Sequence, residues 1–464
     1  MQKRYLKYAA GVSAAVSAAF ILANCGGGNV DDQHTPDAIS QAQSTLAVTG
    51  ISSTVVFSFD LGVVDPATHV YYVTDRTNKA ITGINLNTNA VFQFKPAGVA
   101  FAGCNSTSFN PVTNPLTVTP MPGCTNIVTP AGTQVVNNDA SGPDGLDIVG
   151  PNLYAGDVNA LWILDKGTGA LVKKIVIPSN PTGLRADEGC FDKFNNLYAI
   201  ATPGDNNPFM TIIDTVTQLI VAKVVMDQPV GTPSGGLEAC FFDSTAPGNG
   251  TLWLNNDGST VNPDGEVNGI SVASLIALKP GGPAQVVQFT ALANHVIYPL
   301  PALCSPTGIA QGPGNHLGAM CRPGAGAVPG ATNSLDFIIM DRTAPTNLTT
   351  TPTNIVATVV GAGGGDQIAY DPVSNKWYLA DSRSTPTRKS CGAGTATCPL
   401  TPKLGVVNAA APYNIVAMIP TGNNSHSVAV DSGLGKVISP FTNPSATGGG
   451  SLFPNGGINI FATR

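Results

Sequence analysis

One stretch decides the fold: residues 145–177, which read GLDIVGPNLYAGDVNALWILDKGTGALVKKIVI. It contains four short apolar runs, which turn residues such as Pro151-Asn152 and Gly167 separate. Short runs rich in Val, Ile, Leu and Tyr between Gly, Pro, Asn and Asp are typical of strands joined by hairpins. The stretch therefore predicts an antiparallel meander of four strands.

The composition of the whole chain agrees with an all-β protein. The chain has 464 residues with 52 Gly and 37 Pro, and 43% of its residues are hydrophobic while only 11% are charged. No long segment after the N-terminus has the ~3.6-residue apolar period of a helix. A chain of this length suits either several domains or one repeat architecture.

The distribution of charge argues against one class of partner. The net charge is −6, and adjacent basic residues occur only at Lys3-Arg4, Lys173-Lys174 and Arg388-Lys389. A nucleic-acid-binding protein needs a basic face that neutralises phosphates. We therefore expect no nucleic-acid partner.

The N-terminus has the parts of an export signal. A basic start precedes an apolar stretch from Ala9 to Ala23, which is shorter than the ~20 apolar residues that a membrane-spanning helix needs. With Cys25 directly behind, it resembles a bacterial lipoprotein signal, although Asn24 stands where a small residue is usual. We predict a signal peptide over 1–24, a lipid on Cys25 that holds the protein on a membrane, and a flexible linker over 25–45. An ordinary secretory signal with a fortuitous cysteine is the alternative.

The other cysteines also indicate export. Eight remain besides Cys25, at Cys104, Cys124, Cys190, Cys240, Cys304, Cys321, Cys391 and Cys398. An even set in an exported chain predicts disulfides, although the sequence does not fix their connectivity. We expect sequential pairing, because three of the pairs close local loops and the middle pair, in EGCFD and EACFFD, occupies one place in successive repeats. The alternative is a metal site, but the chain lacks a CxxC pair and zinc-like spacing.

The strand pattern of 145–177 recurs along the chain. Seven unit starts can be marked, at Asp60, Gly145, Asp187, Gly236, Thr307, Gly365 and His426. The shortest interval is about 42 residues, which matches the ~40–50 residues of a four-stranded propeller blade. Longer intervals contain insertions, of which one covers 93–143. We predict a β-propeller over 46–464 with seven blades of four-stranded antiparallel sheets; six or eight blades are the alternatives.

The last repeat unit ends one strand short. After KVISPF the only strand-like run left is INIFAT, while residues 51–59, ISSTVVFSF, form a run with no partner ahead of the first unit. We expect this N-terminal strand to complete the last blade. Ring closure of this kind removes the open sheet edges that would otherwise invite aggregation.

Short sequence motifs in the repeats resemble those of a known family. The phrases DPATHVYYVTD at 65–75, DPVSNKWYLAD at 371–381 and IDTVT at 213–217 are similar to those of the YVTN family of propellers. The resemblance covers about residues 50–464 and is one of fold, because its motifs are structural. Related propellers include lactonases, a streptogramin lyase and surface-layer proteins, so a lactonase-like site on the propeller axis is one implication.

In a propeller of this kind, the loops that lead into the innermost strands form one rim of the central channel. The resemblance places a set of acids and one histidine there: Asp144, Asp147, Asp187, Glu188, Glu238, Asp366 and His426. Crowded carboxylates raise one another's pKa or recruit a cation. Apart from Asp144, we take this set as the predicted ligand-binding residues. The alternative is that each acid caps its own turn.

The same rim could hold a metal ion. Oxygen ligands from several blades suit one divalent cation such as Ca²⁺, and Glu188, Glu238 and Asp366 are the candidate ligands. His426 is a candidate general base, although a lone histidine at a strand start is more often structural. The nucleophile and phosphate-binding motifs GxSxG, HExxH, the P-loop and GxGxxG are absent from the sequence, so no catalytic residue is assigned.

Two functions stay open at this point. The first is a binding or scaffold protein of the cell envelope, lipid-anchored on the periplasmic face or the cell surface, with a protein, glycan or small molecule as its ligand. The second is a metal-dependent lactonase-like hydrolase or lyase with an acidic axial site. We favour the first, because it explains the anchor, the disulfides and the lack of a catalytic motif without a further assumption.

Overall fold

The computed structural model describes most of the chain from Ser44 onward. The described ranges are 44–51, 57–102, 126–128, 134–136, 141–227, 235–279, 284–323, 335–343, 353–387, 400–445 and 453–463. Contacts between Cα atoms divide the chain into 1–35 and 36–464, and every described residue belongs to the second unit. The predicted signal peptide, Cys25 and most of the predicted linker lie outside these ranges.

The described strands begin with β1 (Ser44–Leu46) and continue as a series of four-stranded blades. Blade 1 contains β2 (Phe59–Asp65), β3 (Val70–Asp75), β4 (Ala80–Asn85) and β5 (Ala90–Phe94). A separate hairpin follows, formed by β6 (Asn126–Val128) and β7 (Gln134–Val136). Blade 2 contains β8 (Leu146–Val149), β9 (Asn152–Asp157), β10 (Ala160–Asp165) and β11 (Leu171–Val176). Blade 3 contains β12 (Gly189–Asp192), β13 (Leu197–Thr202), β14 (Phe209–Asp214) and β15 (Leu219–Val225).

Blade 4 carries the helical insertions of the described chain. It contains β16 (Leu237–Phe242), β17 (Thr251–Asn256), β18 (Glu266–Ser271) and β20 (Val296–Pro299). Between its last two strands lie α1 (Val272–Ala277), β19 (Gln285–Gln288) and a short 3-10 helix (Phe289–Ala291). In the part of the chain that the structure describes, no helix is both long and apolar enough to span a membrane.

The remaining strands complete the series. Blade 5 contains β21 (Cys304–Gln311), β22 (His316–Pro323), β23 (Phe337–Asp341) and β24 (Ile355–Val359). Blade 6 contains β25 (Ile368–Asp371), β26 (Lys376–Asp381), β27 (Lys403–Asn408) and β28 (Ile415–Pro420). Blade 7 contains β29 (Ala429–Asp431), β30 (Lys436–Phe441) and β31 (Gly457–Ala462), and β1 is its fourth strand.

The described blades form a closed ring of seven antiparallel sheets, as predicted. The innermost strands contact one another in the cyclic order β2, β8, β12, β16, β21, β25, β29 and back to β2. Blade 3 has one further strand, since β19 pairs in parallel with β15 at its outer edge. Every marked repeat start lies within a few residues of the start of an innermost strand.

The N-terminal strand closes the ring, but it is a different strand from the one predicted. β1 pairs antiparallel with β31, so that Ser44 lies opposite Ile460 and Leu46 opposite Ile458. The predicted strand, 51–59, reaches Phe59, and this residue begins the innermost strand of blade 1. The edge of β31 is occupied by Ser44–Leu46, and β2 needs Phe59 in the core between blades 1 and 7.

Aspartates at the ends of innermost strands set the hairpin turns and join neighbouring blades. The Asp65 carboxylate accepts hydrogen bonds from the N–H of Ala67 (3.1 Å) and the hydroxyl of Thr68 (2.7 Å). His69 then closes the turn in the left-handed region, with φ 54°. The second carboxylate oxygen of Asp65 also contacts Nζ of Lys166 in blade 2 at 2.5 Å. The DPxxH motif at residues 65–69 therefore has a structural role.

The hydrophobic core consists of layers between adjacent blades. Tyr154 of blade 2 packs against Tyr198 of blade 3, with ring centroids 4.9 Å apart. Phe337 of blade 5 packs against Trp377 of blade 6 at 5.3 Å. These four side chains are fully buried. Since every blade presents apolar side chains to both neighbours, the ring is held together blade by blade.

Two disulfides lie in the described residues, and both have the predicted pairing. Cys190 and Cys240 join innermost strands β12 and β16 of adjacent blades, with Cα atoms 5.7 Å apart. Cys304 and Cys321 join β21 and β22 inside blade 5. The other four predicted disulfide cysteines, Cys104, Cys124, Cys391 and Cys398, lie outside the described residues.

Candidate ligand-binding site on the propeller axis

A cavity of about 460 Å³ lies on the propeller axis, at the end where the chain leads into the innermost strands. Its wall is predominantly polar and comes from blades 1 and 3 to 7. Six carboxylates line it: Asp60, Asp187, Glu188, Glu238, Asp257 and Asp366. Four arginines and one histidine line it as well: Arg76, Arg185, Arg322, Arg383 and His426.

The structure brings five of the predicted site residues to this cavity. Asp187 and Glu188 precede β12, Glu238 lies in β16, Asp366 precedes β25 and His426 precedes β29. Each lies close to the start of an innermost strand, and the ring places these starts around one axis.

Two further predicted rim acids lie outside the cavity lining. Asp147 lies in β8, where its Oδ1 accepts a hydrogen bond from the N–H of Ile148 at 2.7 Å. Burial raises the pKa of Asp147 to about 7. Asp144 is fully buried behind the wall and accepts a hydrogen bond from Nε of Arg76 at 3.0 Å. Asp144 therefore holds a wall residue and does not face the cavity.

The arginines, which sequence reasoning missed, neutralise most of these acids. Arg185 Nη2 lies 2.8 Å from Asp187 Oδ2, and Arg383 Nη1 lies 3.0 Å from Asp366 Oδ1. On another side of the cavity, a single guanidinium nitrogen of Arg322 lies 2.6 Å from Glu238 Oε1. The wall is thus a ring of ion pairs with mixed charge.

A sequence signal for two of these arginines was present. Arg76 directly follows the second strand of blade 1 in YVTDR, and Arg383 follows the second strand of blade 6 in YLADSR. Because the first two strands of a blade are antiparallel, the second strand ends beside the start of the first. Asp257 occupies the corresponding place in blade 4, after β17. The ends of second strands therefore supply the same rim as the starts of innermost strands.

Glu188 differs from the other acids of the wall. It is 6% exposed and lines the cavity, and its carboxylate has no hydrogen-bond or ion-pair partner among the described residues. Burial raises the pKa of Glu188 well above its ordinary value, and repulsion from Asp187 and Glu238 adds to this effect.

The pKa values of Glu238 and Asp60 depend on both burial and the cationic partners of these acids. Burial raises the pKa of Glu238 to about 8, although Arg322 opposes this shift. Burial also acts on Asp60, but Arg76 and a hydrogen bond from His426 outweigh it and hold the pKa of Asp60 well below its ordinary value. These shifts keep Asp60 charged and make Glu188 and Glu238 easier to protonate than ordinary glutamates.

His426 is held on both sides of its ring. Its Nδ1 lies 2.8 Å from the backbone oxygen of Asn424, and its Nε2 lies 3.4 Å from Asp60 Oδ1. The ring stacks on Phe59, with centroids 4.8 Å apart. Both nitrogens face oxygen acceptors, and an N–H on each satisfies both, whereas a general base needs a free nitrogen. The geometry therefore leaves His426 without a free ring nitrogen.

A divalent ion needs several oxygen donors close to one another. Among the described residues, one trio offers carboxylate oxygens that all lie within 4.8 Å of one another, namely Asp60, Asp144 and Asp187. Arg76 and Arg185 already contact this trio. A metal ion would have to displace or oppose these guanidinium groups, so the trio does not fit one. The Ca²⁺ set of Glu188, Glu238 and Asp366 stays a prediction, and two of its members carry an arginine.

Covalent and steric features fix the two glutamates relative to each other. Glu188 and Glu238 each lie two residues before a cysteine of the disulfide between β12 and β16. Gly145 packs against the backbone at Glu188, where a Cβ atom would lie 2.7 Å from Cα of Glu188 and 2.3 Å from the backbone oxygen of Asp187. Only glycine permits this approach of blades 2 and 3 without a shift.

The fold and the cavity together define a seven-bladed β-propeller with a polar, mixed-charge site on its axis. No protein-family model matches the sequence, and no curated protein is similar to it in sequence. Solved structures do share its architecture. One is hydrazine synthase of Kuenenia stuttgartiensis, with a TM-score of 0.52 and 13% identity over 91% of this chain and 99% of that chain.

Two other solved propellers are similar to the same extent. U3-55K has a TM-score of 0.54 and 10% identity, and covers 91% of this chain with 99% of its own. The WD40 repeats of RRP9 have a TM-score of 0.52 and 10% identity, and cover 92% of this chain with 99% of their own. At these identities the likeness concerns the fold alone.

Proposed function

We propose that the protein is an exported, lipid-anchored, YVTN-like β-propeller of the cell envelope that binds a small polar ligand in its axial cavity. The observation that carries this proposal is the wall of fixed ion pairs around an open volume of about 460 Å³. A concave site whose polar groups are already held in place loses little freedom when a ligand binds. Such a wall is suited to binding, with no catalytic residue required.

Export and anchoring are supported by two features that are independent of the cavity. The N-terminal sequence resembles a lipoprotein signal that ends at Cys25. The disulfides Cys190–Cys240 and Cys304–Cys321 are of a kind that persists outside the cytoplasm. A lipid on Cys25 would hold the propeller on the periplasmic face or on the cell surface.

The anchor is tested by Cys25→Ser in a bacterial host that processes lipoproteins. We expect the wild-type protein in the membrane fraction, and the Cys25→Ser protein in the soluble fraction after the same cell lysis. Labelling with a radioactive fatty acid gives the direct readout. A wild-type chain that takes up no label, or a serine variant that stays with the membrane, contradicts the lipid anchor.

Metal analysis distinguishes the binding function from the alternative, which is a metal-dependent lactonase-like hydrolase or lyase. We expect the purified mature chain to contain no stoichiometric divalent ion, and its melting temperature to be unchanged by EDTA. One bound ion per chain that is lost with Glu238→Ala, together with EDTA-sensitive hydrolysis of a simple lactone, would favour the alternative.

A further inference from the structure

The charges of the axial cavity do not balance. Six carboxylates line it against four guanidinium groups, and His426 supplies one further cation when both of its nitrogens are protonated. The wall therefore has at least one more acid than cations, and Asp144 behind the wall adds another. Close pairs hold Asp187, Glu238 and Asp366 to arginines.

The unbalanced acid can be identified as Glu188. Its side chain is more than nine-tenths buried, lines the cavity and has no hydrogen-bond or ion-pair partner among the described residues. A buried carboxylate without a partner is costly, and proteins normally pair such a group. A ligand in the cavity would supply the partner that Glu188 lacks among the described residues.

We propose that the axial cavity binds a small organic monocation, an ammonium or guanidinium compound, through a charge-assisted hydrogen bond to Glu188. This inference rests on the proposed function, in which the cavity is the binding site, and it adds the chemical class of the ligand. N–H donors that face a carboxylate form short and strong contacts. A single positive charge also offsets the excess acid without opposing the neighbouring arginines as strongly as a divalent ion would.

Other ligand classes fit this wall less well. A quaternary ammonium group is recognised by an aromatic cage, and the described lining contains no Trp, Tyr or Phe. One face of the His426 ring is covered by Phe59. A purely anionic ligand would place its charge beside the unpaired carboxylate. The wall thus selects for a cation that donates hydrogen bonds.

Binding of a cation should release a proton from the protein. Burial and the neighbouring acids raise the pKa of Glu188, so the empty site takes up a proton at a higher pH than an ordinary glutamate does. A bound ammonium group favours the carboxylate form and expels that proton. Affinity for the cation should therefore rise with pH above the ordinary pKa of a glutamate, until the raised pKa is passed.

The test uses five compounds that differ in one group. The mature full-length protein is titrated calorimetrically with butylamine, butylguanidine, butyric acid, 1-butanol and CaCl₂. We expect only the amine and the guanidine to bind, with a heat that changes with the ionisation enthalpy of the buffer because a proton is released. Glu188→Gln should weaken binding by about tenfold or more, since it removes a charge-assisted hydrogen bond.

The control variant is Asp165→Asn, which removes one negative charge from the last residue of β10, whose carboxylate caps the following turn outside the cavity lining, and should leave binding unchanged. Binding of butyric acid or butanol in place of the cations would overturn the monocation inference and leave the binding function intact. Binding of Ca²⁺ alone would overturn it in favour of the metal site. No binding by any of the five would overturn both proposals. The buffer dependence tests wild-type protein, so the inference does not depend on the variant's folding.

Discussion

Two buried glutamates, Glu188 and Glu266, differ in the partners of their carboxylates. Glu266 accepts hydrogen bonds from Nδ2 of Asn262 (2.7 Å) and from Nδ2 of Asn268 (2.9 Å). Glu188 has no such donor among the described residues and lies beside other acids. The same substitution should therefore have opposite effects on the stability of the protein at the two positions.

We expect Glu188→Gln to raise the free energy of unfolding at neutral pH by about 1–2 kcal/mol, the order of the cost of a buried polar group without a partner. The pKa of Glu188 is higher in the folded protein than its ordinary value of 4.5, so the wild-type protein loses stability as the pH rises above that value. The advantage of the variant should grow across this range and vanish in more acidic solution. Urea unfolding over a series of pH values measures it.

Glu266→Gln is the matched control, because it makes the same chemical change in a buried glutamate outside the cavity. It should lower the free energy of unfolding by about 1 kcal/mol or more, since an amide N–H₂ would face the amide N–H₂ of Asn262 or Asn268. If both variants stabilised the protein, or if the effect at Glu188 did not change with pH, the unpaired state of Glu188 would be wrong.

At this scale the sequence predicted the acids of the site better than their partners. Glu188 and Glu238 stand at equivalent places in EGC and EAC, so the repeat alone places them on one rim. Arg322 lies 84 residues from Glu238 in the chain, and Arg76 lies 68 residues from Asp144. Pairs that the ring brings together over such separations have no local pattern.

At the scale of elements, the disulfide between β12 and β16 joins the two strands that carry Glu188 and Glu238 to the site. It joins residues that are 50 apart in sequence, and Cys190 and Cys240 follow the two glutamates of the wall at equal spacing. We expect Cys190→Ser/Cys240→Ser to lower the free energy of unfolding by about 4 kcal/mol in the chain-entropy treatment of loop closure. Guanidinium unfolding measures this loss.

The second disulfide supplies the comparison. Cys304–Cys321 closes a separation of only 17 residues inside blade 5, so Cys304→Ser/Cys321→Ser should cost less, about 3 kcal/mol. Loss of the inter-blade disulfide should also weaken the binding of butylamine, because it loosens Glu188 relative to Glu238. An unchanged affinity would show that the hydrophobic core between blades 3 and 4 holds the two glutamates without the cross-link.

Strand patterns predicted most elements and missed a short one. The innermost strands follow the marked repeat starts because each combines an apolar run with a Gly or Asp at the turn. The closing strand, Ser44–Leu46, has only three residues, and STL has no period that separates it from a linker. Its position is determined by the free edge of β31, which becomes apparent only when the ring is assembled.

At the scale of the whole molecule, this pairing joins the two ends of the described chain. The hydroxyl of Thr45 donates to Oδ1 of Asn459 at 2.9 Å, next to the backbone ladder. We expect Ser44→Pro/Thr45→Pro to lower the free energy of unfolding by about 2 kcal/mol, because proline removes backbone donors from the ladder. The exposed edge of β31 should then promote oligomers, which size-exclusion chromatography detects.

Ser44→Ala/Thr45→Ala serves as the control for ring closure, since it keeps both backbone N–H groups and loses only side-chain contacts. It should remain monomeric under conditions in which the proline variant associates. Equal behaviour of the two variants would mean that β1 contributes no more than its side chains to the closed ring.

The position of β1 also determines how the propeller would bear mechanical load. If the chain is tethered at Cys25, a pull from the tether enters the described part of the chain at Ser44. The first bonds that the pull meets are those of three residue pairs between β1 and β31. Blade 7 would therefore open before the disulfide-linked blades 3 and 4 carry tension. The wall that Glu188 and Glu238 form, on the side of the ring opposite blade 7, would keep its shape while the ring begins to open.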